Sequence, residues 1–391
     1  MWIRLLSLSG LLAVALAAPL AAQEAPSYRV IGYFVSWGIY DREYFVSEIP
    51  ADKLTHVNYA FANISEDGEC VLGDAWADTD ITFEGDDPDA DFLGNFNQLR
   101  LLKEANPHLQ TMISVGGWTW SDRFSDVALT DASREKFARS CVDFMTRYGF
   151  DGIDIDWEYP TGGGEAGNVE RPEDLENFIL LLAELREQLD AQSAQDDRPY
   201  LLTIAAGAGE AAYAPLDWSR IHPLLDWINV MTYDMSGGWS SVTGFNAPLY
   251  DSSETPPEGG STDTTLQNFL ALGIPADKLV MGVPFYGRGW ANVDDENNGL
   301  HQPFSGLPPG TWEQGSFDYD DLAENYVGSL QRFWDDAAQV PLHHQPNQVL
   351  ALLLRLGEEL LGGGADAARV ALNLDLRDRL DVDRDALIRV E

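Results

Sequence analysis

The chain has 391 residues, of which 45% are hydrophobic, and its 64 acidic and 24 basic residues give a formal net charge of −40. This surplus of acids excludes polyanionic partners such as nucleic acids, whose binding depends on Lys and Arg. The negative charge suits a neutral substrate and a self-repelling monomer. Adaptation to a salty medium better explains how large the charge is. The length accommodates one large α/β barrel or two ordinary domains.

The first 22 residues have the features of a secretory signal peptide. A short basic segment at Met1–Arg4 precedes an apolar run at residues 5–16, and small residues at 17–22 provide a cleavage site. The apolar run is shorter than a typical membrane span and is followed by polar sequence. We therefore expect a secreted protein, extracellular or periplasmic, with no membrane contact after cleavage.

The chain contains two cysteines, Cys70 and Cys141. In an oxidising compartment they could form a disulfide, and two buried free thiols are an equally good interpretation. Cysteine and histidine residues do not occur at the spacing of a structural zinc site, so we expect no metal and no cofactor.

Short β-rich runs alternate with helical segments along the chain. Amphipathic helices are predicted at 132–148 and 172–192. The alternation indicates βαβ units, and seven strands favour a (β/α)8 TIM barrel at residues 23–290 over an open doubly wound sheet. The first strand is not followed by a phosphate-binding glycine fingerprint, which weakens a dinucleotide-binding alternative. The predicted strands are 28–37, 54–64, 109–118, 149–159, 200–207, 226–235 and 278–290.

The alternation is interrupted between residues 291 and 340. Turn-forming Gly and Pro residues there surround the segment GTWEQGSFDYDDL. We predict that this region is a small α+β insertion after the seventh strand.

The segment GFDGIDIDWEYP, residues 149–160, alternates acidic and apolar side chains. Residues two apart in a strand share a face, so Asp154, Asp156 and Glu158 point together, and the isoleucines and Trp157 point the other way. In a barrel the acidic set faces the lumen, and Glu158 lies at the C-terminal end, where barrel enzymes place catalytic groups.

Stacked carboxyl groups cannot all ionise at low cost, because burial and like charge both raise a carboxyl pKa. We expect a proton shared along the row, with Glu158 protonated near neutral pH, as a general acid for a glycosidic oxygen requires. The alternatives are a solvated acidic strand and a cation site. The interleaved apolar residues argue against the first, and calcium loops have a different, glycine-containing spacing.

The motif DGIDIDWEYP resembles the signature of family 18 glycoside hydrolases, the chitinases. SVGGW (114–118), MTYD (231–234) and PFYGRGW (284–290) are similar to three further motifs of that family, in the same order. The resemblance extends from about Tyr28 to Pro341 and includes the subgroup with an α+β insertion after strand seven. It implies a chitinase that acts with retention, the substrate's own 2-acetamido oxygen attacking the anomeric carbon. The alternatives are an endo-β-N-acetylglucosaminidase on glycoprotein or peptidoglycan and an impaired, lectin-like chitin-binding product.

The resemblance also implies a role for each catalytic residue. Glu158 would protonate the leaving oxygen, Asp156 would orient the acetamido N–H, and Asp154 would take the proton that Asp156 gives up. Tyr233 and Asp234 would hold the acetamido group against the anomeric carbon.

Further residues are expected to bind the sugar chain, because pyranose rings stack on aromatic planes. Some match sugar-binding positions of the family or share a face with the catalytic residues, and others are aromatic residues at the ends of strands one and two. The first group is Trp118, Met231, Tyr286 and Arg288, and the second group is Tyr33, Trp37 and Phe61.

The resemblance ends near Pro341. No Phe, Trp or Tyr occurs in the last 57 residues, beyond Trp334, where about six would be expected at the chain's 11% average. The family's eighth strand normally ends in a Trp that floors the central subsite, and ARVALNL (368–374), a weak candidate strand, lacks it. Our hypothesis is that residues 341–391 are a divergent tail produced by a shifted reading frame, which would impair the enzyme. A genuine divergent helical tail is the alternative.

Overall fold

The computed structural model describes residues 28–252, 259–345 and 348–351, and the backbone of residues 371–375. The predicted signal peptide at 1–22 and most of the predicted tail lie outside the described residues. Within the described ranges, no helix combines the length and the apolar character needed to span a bilayer.

The strands and helices follow the predicted alternation. The predicted helices 132–148 and 172–192 are confirmed as α3 and α4. The strands are β1 (Val30–Val35), β2 (His56–Ile64), β3 (Cys70–Val71), β4 (Gln110–Gly116), β5 (Gly152–Asp156), β6 (Leu201–Gly207), β7 (Trp227–Met231), β8 (Leu279–Val283), β9 (Tyr286–Ala291), β10 (Ser316–Asp318), β11 (Gln331–Asp335), β12 (Val340–Gln345), β13 (Gln348–Ala351) and β14 (Ala371–Asp375). The helices are α1 (Gly94–Ala105), α2 (Phe124–Ala128), α3 (Asp131–Tyr148), α4 (Asp174–Asp196), α5 (Glu210–Tyr213), α6 (Trp218–Ile221), α7 (Thr262–Ala271) and α8 (Tyr319–Asp321).

The main sheet closes on itself as a barrel. Its parallel part runs β1, β2, β4, β5, β6, β7, β8. Strand β14 closes the ring by pairing with both β8 and β1, and it is antiparallel to each of them. The predicted (β/α)8 barrel fold class is confirmed. The eighth position, which the sequence left doubtful, is filled by a strand of the opposite direction to the other seven.

A second sheet of order β10-β9-β13-β12-β11 is antiparallel throughout. The predicted single strand 278–290 is wrong, because it is divided between the barrel strand β8 and the first strand of this second sheet, β9. Pro284 lies at the division, and a proline has no amide hydrogen with which to continue a sheet ladder. The predicted insertion 291–340 lies within the span 286–351 of this sheet.

The alternation in β5 separates the hydrophobic core from the lumen. Ile153 and Ile155 are fully buried beneath the helices. Trp157 stacks on Phe124, with ring centroids 5.4 Å apart, and meets Phe178 edge-on at 5.7 Å. The acids therefore face the lumen, above a small apolar cluster formed by Ile31, Met112, Trp227 and Val280.

Candidate active site

Asp154 is the most deeply placed acid of the row, with no exposed surface. Its Oδ2 accepts hydrogen bonds from the Tyr33 hydroxyl at 2.9 Å and from Ser114 Oγ at 2.8 Å. Its Oδ1 accepts bonds from Thr203 Oγ1 at 2.5 Å and from Asn229 Nδ2 at 3.1 Å. Burial raises the pKa of Asp154, and these bonds oppose the rise because they favour the carboxylate. Asp154 is thus the position in the row where negative charge is best supported.

Asp156 lies one step nearer the mouth of the barrel, and its hydrogen bonding and pKa differ from those of Asp154. Its Oδ1 is buried and has no hydrogen-bond partner among the described residues. Burial, followed by the charges of Glu158 and Asp154, raises the pKa of Asp156 well above its ordinary value. A buried acceptor without a partner is costly in a folded protein, so this oxygen is available to a donor on a ligand.

Glu158 stands two residues beyond the end of β5 and is 8% exposed. Burial, opposed by a hydrogen bond with Tyr159 and assisted by the charge of Asp234, raises the pKa of Glu158 to about 7. This carboxyl group therefore exchanges its proton near neutral pH, so it can both donate and accept a proton there.

Asp234 follows β7 and is held in a defined orientation. Its backbone is in the left-handed region, with φ at 58°, and its N–H donates to Asn246 Oδ1 at 3.1 Å. Nε and Nη2 of Arg288 both lie 2.8 Å from Asp234 Oδ1. The side-chain amide of Asn246 donates to the carbonyl of Tyr286 at 3.0 Å. The guanidinium therefore contacts one carboxylate oxygen of Asp234 through two nitrogens, and the Tyr286 side chain is also hydrogen-bonded to Asp234.

Tyr233 packs between the ends of β7 and β8. Its ring is 6.1 Å from that of Tyr286 in an edge-to-face arrangement, and a Cβ on Gly282 would come within 2.8 Å of it. Burial and the charge of Asp156 raise the pKa of Tyr233 well above its ordinary value, so its hydroxyl remains a donor. Met231, at the end of β7, is half-buried.

Aromatic side chains continue from these residues toward solvent. Trp37 is 39% and Trp118 48% exposed, and Phe61 lies half-buried with its ring 6.2 Å from that of Trp37. A pocket of about 280 Å³ opens beside Trp37, and its walls also include Tyr33, Tyr233 and Tyr286.

The sequence matches the glycosyl hydrolases family 18 over residues 29–352. The chain belongs to this family. Chitinase A1 of Niallia circulans is 46% identical, with 83% of this chain and 52% of the relative aligned, so the chain spans about half the length of that relative. The structure of chitinase ChiA74 from Bacillus thuringiensis has a TM-score of 0.80 and 40% identity, covering 84% of this chain and 62% of that one. A family 18 N-acetylglucosaminidase from Paenibacillus barengoltzii has a TM-score of 0.71 and 34% identity, covering 84% and 87%.

The structure of this family 18 chain brings the predicted catalytic residues to one end of the barrel and places Tyr33 beside one of them. Its hydroxyl contacts Asp154 inside the lumen, and Tyr33 also lines the pocket, so its expected role in sugar binding stays a prediction. Thr203 and Asn229 were not predicted, although each is a polar residue within an otherwise apolar strand. Asn246 was also missed, because its partners lie 12 and 40 residues away along the chain.

Proposed function

We propose that the protein is a secreted chitinase that hydrolyses β-1,4-N-acetylglucosaminide bonds with retention of configuration. The observation that carries this proposal is the row of Asp154, Asp156 and Glu158, which ends in a carboxyl group whose pKa is about 7. Family membership and the relatives that are named chitinases support the same reaction.

Glu158 acts first as the general acid. It transfers its proton to the glycosidic oxygen while the carbonyl oxygen of the substrate's own acetamido group attacks the anomeric carbon. The bond to the leaving sugar breaks, and a cyclic oxazolinium intermediate forms. Glu158, now a carboxylate, then takes a proton from the water that opens this ring, and the product keeps the original configuration.

Asp156 and Asp154 support the acetamido group and the developing charge. The unpartnered Oδ1 of Asp156 accepts the acetamido N–H, which orients the carbonyl oxygen for attack. As Glu158 loses its proton, Asp156 shares the proton that it carries with the new Glu158 carboxylate, and Asp154 stays ionised on its four hydrogen bonds instead of taking that proton.

Tyr233 and Asp234 act from the other side of the site. The hydroxyl of Tyr233 donates to the acetamido oxygen, and Asp234 is held against the sugar by Arg288. Exposed Trp37 and Trp118, which follow β1 and β4, favour a polymeric substrate over a single terminal sugar.

The stereochemistry of the fresh product tests this reaction. Chitin hexamer is incubated with the 391-residue protein in an NMR tube, and the anomeric protons of the new reducing ends are followed before mutarotation. We expect the β-anomer first. Initial α-anomer, or release of single N-acetylglucosamine units alone, would overturn the substrate-assisted chitinase in favour of inversion or of an N-acetylglucosaminidase.

Export is part of the proposal and is tested separately. Expression in a bacterial host, followed by N-terminal sequencing of the protein outside the cytoplasm, should give a mature chain that begins near Gln23. A cytoplasmic protein that keeps residues 1–22 would contradict it.

A further inference from the structure

The backbone of Glu158 is held by side chains from two loops. The ladder of β5 ends with Asp156 opposite Gly116 and with Ile155 opposite Ile204, so it stops before Glu158. Beyond that point the Glu158 N–H donates to Ser121 Oγ at 2.8 Å, and the Glu158 carbonyl accepts from Asn168 Nδ2 at 3.1 Å. Two side-chain hydrogen bonds thus hold the backbone of Glu158 in place of the strand pairing that a sheet would provide.

Ser121 also connects Glu158 to Asp156. Its Oγ has no exposed surface and lies 2.9 Å from the carbonyl of Gly117 and 3.2 Å from that of Asp156. A hydroxyl has one proton, so it donates to one of these carbonyls while it accepts the N–H of Glu158. The hydroxyl thus lies between the peptide groups on both sides of Trp157, within hydrogen-bond distance of the Asp156 carbonyl and of the Glu158 N–H.

Asn168 belongs to the loop that follows β5, and this loop packs tightly against Glu158. A Cβ on Gly164 would come within 2.0 Å of the carbonyl oxygen of Glu158, so only glycine permits this approach. The N–H of Val169 donates to the carbonyl of Asp122 at 3.3 Å, which joins this loop to the turn that carries Ser121.

We propose that Ser121 is a positioning residue for the general acid, with Asn168 as its counterpart on the carbonyl side. The inference rests on the proposed function, because it requires Glu158 to be the acid. Proton transfer needs the carboxyl group within hydrogen-bond reach of the glycosidic oxygen, and a misplacement of about 1 Å can cost about 100-fold in rate. The contacts act on Glu158 rather than on the sugar, so their loss affects kcat more than KM.

The test compares Ser121→Ala and Asn168→Ala with Ser125→Ala. Ser125 is equally buried, but its hydroxyl donates to Asp174 at 2.7 Å. We expect Ser121→Ala to lower kcat about 10- to 100-fold and Asn168→Ala about 3- to 10-fold, with KM within about twofold, while Ser125→Ala keeps the wild-type kcat. The basic limb of the pH profile should move to lower pH in Ser121→Ala, because a less constrained Glu158 is better solvated.

A second measurement does not depend on turnover. The carbon-13 carboxyl resonance of Glu158, assigned by its loss in Glu158→Gln, is titrated in each variant. We expect a lower midpoint in Ser121→Ala and Asn168→Ala than in Ser125→Ala. If Glu158→Gln is inactive but Ser121→Ala and Asn168→Ala keep the wild-type midpoint and kcat, the positioning role is overturned and the proposed function stands. Activity in Glu158→Gln would instead remove the proposed function and this inference with it.

Discussion

The hydroxyl of Tyr33, on the first barrel strand, donates to Oδ2 of Asp154, on β5, over 2.9 Å. Tyr33 pairs in register with Asn58 of β2, so the bond reaches across the lumen to a strand that is not its neighbour. It is one of four bonds that stabilise the carboxylate form of Asp154. The ionisation of the acid row therefore depends on Tyr33, which is 121 positions from Asp154 in the sequence.

Tyr33→Phe should lower kcat about 10-fold with little change in KM. The variant removes one donor to a charged acceptor, which raises the pKa of Asp154 and weakens it as the site of negative charge. Steady-state kinetics on chitin oligomers measures the change. Tyr213→Phe is the matched control, because the Tyr213 hydroxyl accepts from Asn268 at 2.8 Å, away from the acid row. Equal kcat values in the two variants would contradict the role of Tyr33.

Activity should fall as pH rises through about 7, because only protonated Glu158 can donate to the glycosidic oxygen and its pKa is about 7. The profile of kcat/KM against pH measures this limb. An activity that is constant from about pH 5 to about pH 9 would contradict the assignment.

The same pKa predicts a stability effect. Folding raises the pKa of Glu158 from its ordinary value of 4.5 to about 7, so the folded chain binds this proton more tightly than the unfolded chain. The resulting stability is fully present below about pH 4.5 and is lost as pH rises through about 7. Glu158→Gln cannot ionise and should therefore raise the Tm relative to wild type more at about pH 8 than at about pH 4. Glu187→Gln, at an exposed position on α4, is the control and should give no such difference.

Arg288→Lys should lower kcat/KM about 10- to 100-fold, although the charge is kept. Two guanidinium nitrogens contact the same oxygen of Asp234, and an ammonium cannot reproduce this planar contact. Arg186→Lys, with its guanidinium bound to Asp190 and Asp226, controls for general effects of the substitution. A wild-type kcat/KM for Arg288→Lys would show that charge alone suffices.

The hypothesis of a shifted reading frame predicts a result for the gene. His343 in β12 is 1% exposed, and neither ring nitrogen has a hydrogen-bond partner within the described part of the chain. Burial lowers its pKa to about 4. An unpartnered imidazole in a core is costly. Strand β14, which closes the barrel, is antiparallel to both of its neighbours. Both features agree with the hypothesis that the residues beyond Pro341 are encoded in a shifted frame. One of the other two frames downstream of Pro341 should encode an aromatic-rich segment and a strand that ends in Trp, and a gene without either would contradict the hypothesis.

The alternation of β5 made much of the site predictable. A period of two places the acids on one face and Trp157 on the other, and the packing of Trp157 on Phe124 agrees with this. The helices α3 and α4 were predictable for the same reason, since their apolar residues recur with the helical period.

Other features depend on strand register and loop contacts, which a local pattern does not contain. Thr203 and Asn229 meet at Asp154 only because β5, β6 and β7 are neighbours in the barrel. Ser121 reads locally as a turn residue, and its contacts with Asp156 and Glu158 exist only after the turn has packed against β5.

The rate of chitin hexamer hydrolysis by Glu158→Gln, relative to wild type, tests the central claim most directly. The amide keeps the shape of the side chain but cannot donate the acidic proton, so we predict a loss of about 100- to 10,000-fold with the oligomer still bound. A rate within about threefold of the wild-type rate, in a variant with the wild-type Tm at low pH, would contradict the role of Glu158 as the general acid.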